Sequence, residues 1–401
     1  MVSVIPPVAI TGMGCVCTAG PDLARCLKAL DAGRRCPVPP SRFPVGTLSG
    51  FPVFEVPSDY LDCGRLKNPG TSNTVRLALR ATREALQHAG IPEMELSCMR
   101  VGVCMGTSVG ASLNFLDCYR AHRAGSMSDT SGFSRYLSAN PAMAVAFELG
   151  VRGPVQTVVN ACSSGADAIG MAASWIRQGL CDVAIAGGGD EISEVAYTGF
   201  IRLMITDNEP CRPFDATRKG LNLGEGAGVV VMESEGFRAR RGASVLAELR
   251  GYGTIADAYH LTAPHPEGLG LRKAVAAALA EAGLQAKDIA FINAHGTATP
   301  NNDLVESVVF RDIFSSCPIV ATKGMTGHTL GAAGAIEAIF AIAHLVRGMI
   351  PATVGFAHTD PELGIVPTTT PVTITGRAAI SQSLAFGGNN SVLVLSRGAP
   401  E

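Results

Sequence analysis

Short apolar runs that end in glycine and pass into helical stretches recur along the whole chain. "VAITGMG" from residue 8, "VGVCMGTS" from 101, "VQTVVNACSS" from 155 and "DVAIAGGGD" from 182 cover the first half; "AFINAHGT" from 290, "IVATKGMTGH" from 319 and "SVLVLS" from 391 cover the second. A continuous apolar run of this length reads as a strand buried on both faces. Helical spacing predicts helices over Thr71 to Ala89, Ala166 to Gln178, Leu269 to Ala282 and Ala332 to Arg347. Alternation of this kind predicts an α/β protein, with helices on both sides of mixed or mostly parallel sheets.

Two helical stretches match in length and plan. "GADAIGMAASWIRQG" (165 to 179) and "GAIEAIFAIAHLVRG" (334 to 348) both open with Gly-Ala and close with Gly. Each follows a strand and a short loop, one holding Cys162 and the other His328. Two equivalent halves with their loops at a common site would explain both; chance likeness between Ala-rich helices is the alternative. The division falls near 240 to 250, where "ESEGFRARRGASVLAELRGYG" passes from one strand through a charged turn into another. That gives residues 1–245 with Cys162 and 246–401 with His295 and His328, fused without a low-complexity linker.

Composition narrows the function classes. Of 401 residues, 47% are hydrophobic and 16% charged, with 46 glycines and 5% aromatics, a mixture that suits close backbone packing in a layered α/β protein. The formal net charge of -2 supplies no field for nucleic acid. The 12 cysteines form no CxxC pair, so reduced thiols in a cytoplasmic protein are expected, with neither a disulfide framework nor a metal site. No basic region precedes the apolar start, and Ala332 to Val346 contains Glu337 and is too short for a bilayer, so no membrane association is expected.

Cys162 lies at a strand-to-helix turn among small residues, in "NACSSG". Helix N-terminal amides favour a negatively charged sulfur, and small neighbours leave room for substrate. One buried cysteine among 12 would otherwise be packing. Two histidines change that balance: His295 in "NAHGTATPNND" and His328 in "KGMTGHTLGAAGA", with Lys323 five residues before the latter, also follow strands into glycine-rich loops. Three reactive side chains at three analogous strand ends imply a site. A cysteine protease also pairs Cys with His, and metal binding by the three is conceivable, though no close ligand pair supports it.

These motifs, with the late "SLAFGGNN", "PCRPFDATRKGLNLGEGAGVVVMES" (210 to 234) and "DAYHLTAP" (257 to 264), resemble the elongating β-ketoacyl-acyl-carrier-protein synthases of types I and II and their polyketide-synthase relatives, in the thiolase-like superfamily. The resemblance runs from residue 8 to 398. It implies a thiolase-like fold of two pseudo-repeated βαβαβαββ halves in α-β-α-β-α layers. It also implies decarboxylative condensation: Cys162 takes an acyl group from a carrier protein's phosphopantetheine, malonyl-carrier protein loses carbon dioxide, and the enolate attacks the thioester. No cofactor is consumed.

By the same resemblance, the backbone N–H groups of Cys162 and Phe386 hold the oxyanion, and neutral His295 and His328 donate to the malonyl thioester oxygen. Lys323 and Glu306 form an ion pair that orients the histidines. Thr297 and Thr299 hold the pantetheine arm in a channel that Phe386, Gly387 and Gly388 help line, and Phe386 gates acyl entry. Leu384 and Ala385 stand where the family usually has Phe and Gly, which would alter gate mobility through the stiffer Ala385. A homodimer joined at a sheet edge is implied, with a heterodimer containing a ketosynthase-like subunit as the other possibility. A coenzyme A-dependent thiolase would need a second cysteine in the late loop, which offers none; a chain-length-determining subunit would lack the nucleophile.

Overall fold

The computed structural model describes residues 5–68, 70–110, 116–126 and 140–398. Its strands are β1 (Val8–Cys17), β2 (Val101–Gly106), β3 (Val155–Val158), β4 (Val183–Asp190), β5 (Gly226–Glu233), β6 (Ala247–Ala256), β7 (Ile289–Asn293), β8 (Ile319–Val320), β9 (Met349–Ile350), β10 (Val372–Thr373), β11 (Ala378–Ala385) and β12 (Asn389–Arg397). Apart from the small β9–β10 ribbon they form one ten-stranded sheet, ordered β3-β2-β4-β5-β1-β6-β12-β11-β7-β8. Read outward from the β1–β6 seam, the two arms carry the same plan. Each has its first, fifth, fourth, second and third strands in that order, with the last two pairings parallel and the others antiparallel. The seam itself is short, Val8 to Ile10 against Leu249 to Ala247.

The helices complete the layers. Ser164–Arg177 and Ala333–Arg347 pack on each other and on strands of both arms, forming the middle layer. Asn73–Ala89 covers β1 and β5 from outside, and Leu269–Ala282 covers β6 and β12. The glycine content lets these layers touch. A Cβ on Gly12 or Gly14 of β1 would stand 2.1 or 2.0 Å from the carbonyl oxygens of Ala85 and Ala81. Gly251 and Gly253 of β6 meet Ala278 and Ala274 in the same way, at 2.0 and 2.1 Å. Each arm therefore reads βαβαβαββ with helix backbone lying directly on strand backbone, the thiolase-like architecture expected.

The helices predicted over Leu269 to Ala282 and Ala332 to Arg347 stand at Leu269–Ala282 and Ala333–Arg347. The other two start at Asn73 and Ser164, each within two residues of expectation. One expectation needs correction. The 3₁₀ turn Leu330–Ala332 lengthens the last helix, and Leu330–Arg347 reaches 18 residues, apolar enough to cross a bilayer by length and composition. Its place is set by burial: 89% of it lies inside the protein, between the two arms.

Candidate active site

Two turns at the central helices build the site. Cys162 sits in the 3₁₀ turn Ala161–Ser163, between β3 and the helix Ser164–Arg177. His328 sits between β8 and the matching turn Leu330–Ala332. Both turns begin on a non-glycine residue in the left-handed region, Ala161 at φ 49° and Leu330 at φ 53°. Side chains separated by 166 positions then meet, with His328 Nε2 3.1 Å from Cys162 Sγ. His295, at the end of β7, places its ring edge-on to that of His328 with centroids 5.2 Å apart. All three are buried.

Hydrogen bonds assign the protons. The N–H of Leu330 donates to His328 Nδ1 at 3.1 Å, so Nδ1 is an acceptor and Nε2 carries the hydrogen facing the sulfur. Lys323 Nζ donates to His295 Nδ1 at 3.0 Å and to the His295 carbonyl at 2.6 Å, which leaves His295 with Nε2–H as well. Burial, then the Lys323 charge, holds both imidazoles well below their ordinary range, so at neutral pH they are uncharged donors. The ligand atoms of Cys162, His295 and His328 lie within 4.8 Å of one another. A metal needs a bare ring nitrogen, and each Nδ1 is already occupied as an acceptor, so the donor set suits an oxyanion better than a cation.

The Cys162 thiol departs from expectation. Burial pushes it up to about 11, against the pull of the Lys323 charge and of the Phe386 and Cys162 backbone N–H groups. The turn's amides do favour an anion, but desolvation outweighs them and the resting group is a thiol. Those two N–H groups are the pair expected to hold the oxyanion.

The ion pair also differs from expectation. Lys323 pairs with Glu337 Oε1 at 2.5 Å, not with Glu306. Glu306 accepts instead from the N–H groups of His295 and Gly296, both at 2.7 Å, and from the side chains of Asn302 at 2.7 Å and Gln382 at 2.6 Å. It shapes the His295 turn through the backbone, while Lys323 fixes the ring. Glu337 lies one turn into Ala333–Arg347, buried among apolar neighbours, with its carboxyl raised to about 7 chiefly by burial.

A cavity of about 300 Å³ opens onto Cys162, His295 and His328 and is walled by Thr297, Thr299 and Phe386. The two threonine hydroxyls stand 2.8 Å apart. Phe386 stacks on Phe200 with centroids 5.6 Å apart and 18° between planes. Gly387 and Gly388 do not line the cavity. They sit behind Phe386 at φ 83° and 78°, bonded to the Leu261 carbonyl at 2.8 Å and the Asp257 N–H at 2.7 Å, and so aim the Phe386 amide. Ala385 is extended, at φ -125° and ψ 155°, a conformation in which a Cβ carries no strain, so its departure from glycine leaves the backbone undistorted. The segment 107–137, one of the loops that would build a substrate tunnel, lies partly outside the described residues, at 111–115 and 127–137.

Comparison with known proteins places the chain. Residues 6–236 match the family model for the Beta-ketoacyl synthase N-terminal domain, and residues 246–357 that for the C-terminal domain. The 3-oxoacyl-[acyl-carrier-protein] synthase 2 of Staphylococcus aureus (strain COL) is 35% identical, over 97% of this chain and 98% of that protein. Nodulation protein E of Rhizobium meliloti (strain 1021) is 35% identical, over 97% and 99%. Among solved structures, the ishigamide ketosynthase/chain length factor superposes with a TM-score of 0.92 at 32% identity, over 98% of this chain and 99% of the other. The chain belongs to the β-ketoacyl synthase family.

Proposed function

We propose that this β-ketoacyl-acyl-carrier-protein synthase condenses an acyl group held on Cys162 with malonyl-carrier protein, extending a fatty-acid or polyene/polyketide chain. The observation that carries the reading is the pair of neutral, buried imidazoles whose Nε2–H groups flank the sulfur. In the transfer step the sulfur attacks the incoming thioester, the N–H groups of Cys162 and Phe386 receive the oxyanion, and the departing pantetheine thiol gains the proton that Cys162 loses. Malonyl thioester then sits with its carbonyl oxygen between His295 and His328. As the bond to the carboxylate breaks, its electron pair moves onto that oxygen, and carbon dioxide leaves. The enolate carbon attacks the Cys162 thioester and expels the sulfur.

Lys323 keeps His295 in the donating tautomer, and Glu337 compensates the charge of Lys323. Thr297 and Thr299 hold the pantetheine arm, and Phe386 moves off Phe200 to admit the acyl chain. The acyl groups arrive on an acyl carrier protein. Arg120 and Arg212 are bound in surface ion pairs to Glu194 and to Asp207 and Glu209, which among the described residues leaves Arg123 and Arg202 as the freer cations for its acidic surface. Residues 1–245 and 246–401 act as two halves of one catalytic unit. A homodimer through the β3 edge fits this reading best; a ketosynthase-like partner subunit could replace one copy.

Purified protein given malonyl-carrier protein releases carbon dioxide on this reading. Cys162→Ala abolishes condensation, and His328→Ala lowers decarboxylation about 100- to 1000-fold, the usual cost of one oxyanion donor. Absence of decarboxylation in the wild type, with or without an acylated partner, would overturn the assignment and favour a chain-length-determining subunit.

A further inference from the structure

One buried carboxylate beside the site has no task in that scheme. Asp190 ends β4 and is fully buried. One oxygen accepts from the N–H groups of Ser108 and Gly331, both at 2.7 Å; the other accepts from the Thr107 hydroxyl at 2.6 Å and the Val109 N–H at 3.5 Å. Burial pushes its carboxyl up to about 6, with those donors pulling back.

The two halves show what is unusual here. Gly331 follows Leu330 as Cys162 follows Ala161, so the Gly331 N–H is the counterpart of the Cys162 N–H. At the Cys162 turn that amide is among the groups that favour a negatively charged sulfur. At the His328 turn the equivalent place is filled by a carboxylate of the protein itself. The carboxylate fixes the peptide that follows Leu330, and the N–H of Leu330 in turn fixes the His328 tautomer. Leu330 stands at φ 53°, a backbone conformation that needs surrounding contacts to hold it. The 107–109 segment is pressed on the same turn: a Cβ on Gly331 would stand 2.5 Å from Ser108 N. Its Thr107 carbonyl accepts at 3.2 Å from Ser164 Oγ, at the start of the helix that follows the Cys162 turn.

We propose that Asp190 is a positioning residue for decarboxylation, a carboxylate that bolts the His328 turn to the 107–109 segment and thereby keeps the His328 Nε2–H aimed at the thioester oxygen. The proposal rests on the condensing reading above. It predicts that the two half-reactions separate, because Cys162 and Phe386 supply the donors for acyl transfer and Asp190 touches neither of their N–H groups.

Asp190→Asn keeps the shape but offers an amide NH₂ where at least one backbone N–H needs an acceptor. With malonyl-carrier protein, kcat for carbon dioxide release falls about 10- to 100-fold, the range typical of supporting hydrogen bonds, while KM stays within about two-fold. Acylation of Cys162 by acyl-carrier protein, followed by mass spectrometry, stays within about three-fold of wild type. Nitrogen-15 spectra of histidine-labelled protein show the His328 ring leaving the pure Nε2–H tautomer. Should Asp190→Asn not fold, Thr107→Val removes one donor only and gives a smaller loss, about two- to three-fold, confined to decarboxylation. Equal loss of both half-reactions, an unchanged His328 tautomer, or wild-type decarboxylation in a folded variant would overturn the proposal. A wild type that releases no carbon dioxide would instead defeat the condensing reading itself.

Discussion

Cys162 shows how far local sequence can decide chemistry. Its turn, its small neighbours and its two histidines are legible in the motifs, but the state of its proton is not, because desolvation depends on the two arms closing over it. With the thiol raised to about 11, the thiolate fraction grows about tenfold per pH unit across the neutral and mildly alkaline range. Alkylation of Cys162 by iodoacetamide, followed peptide by peptide, should therefore climb steadily from pH 7 to 10, whereas an ordinary thiol, half ionised near pH 8.5, levels off above about pH 9.5. The exposed Cys36 and Cys98 should label ahead of it at neutral pH. A plateau at or below pH 8.5 would mean that the turn's amides outweigh burial. Glu337 makes the same point from the other side. In the sequence it is one acid in an apolar stretch, and only its approach to Lys323 gives it a function; a buried lone carboxylate needing a cation was the available signal, with Lys323 14 residues upstream.

Between elements, the repeat predicted from two 15-residue stretches acquires a physical meaning. Gly165 and Gly334 are the crossing points of the two central helices. A Cβ on Gly165 would stand 2.9 Å from the Ala335 Cβ, and one on Gly334 would stand 2.9 Å from the Ala166 Cβ, so the contacts are reciprocal. That close crossing sets the distance between the Cys162 and His328 turns, each at the start of one helix. Gly165→Ala gains about 0.5–1 kcal/mol of helix preference and loses about 1–3 kcal/mol to overpacking, so a net destabilisation of up to about 2.5 kcal/mol is expected. Denaturant unfolding measures it. Ala335→Gly in the same chain should relieve part of the loss, because Ala335 N and Gly331 O also crowd the added methyl, at 2.9 and 2.8 Å. A single variant as stable as wild type would mean that the helices can slide apart. The helices were legible because both ends carry glycines and the apolar spacing is regular. The terminal strand β8, with only two residues, was readable as a strand end but not as a length, since pairing on β7 sets where it stops.

At the scale of the whole molecule, the fold was legible through motif order, whereas the assembly depends on surfaces that motifs do not encode. Among the described residues β3 pairs only with β2, which leaves one side of its backbone open at the end of a ten-stranded sheet. An uncovered strand edge invites a second strand, and a two-fold axis there would let two copies satisfy each other. Val159, directly after β3 and three residues before the nucleophile, is 62% exposed. On the dimer reading an apolar side chain so placed would link assembly to catalysis, because a second copy covering it would also brace the Cys162 turn. Sedimentation of the purified protein should give a dimer, and Val159→Asp should shift it toward monomer and lower condensation with it, since a charge in the covered edge would lose its water. A variant that stays dimeric would put the interface elsewhere. A wild type that is monomeric alone and dimeric only with a ketosynthase-like subunit would assign the same edge to a heterodimer, in which this chain, with its intact Cys162, is the condensing half.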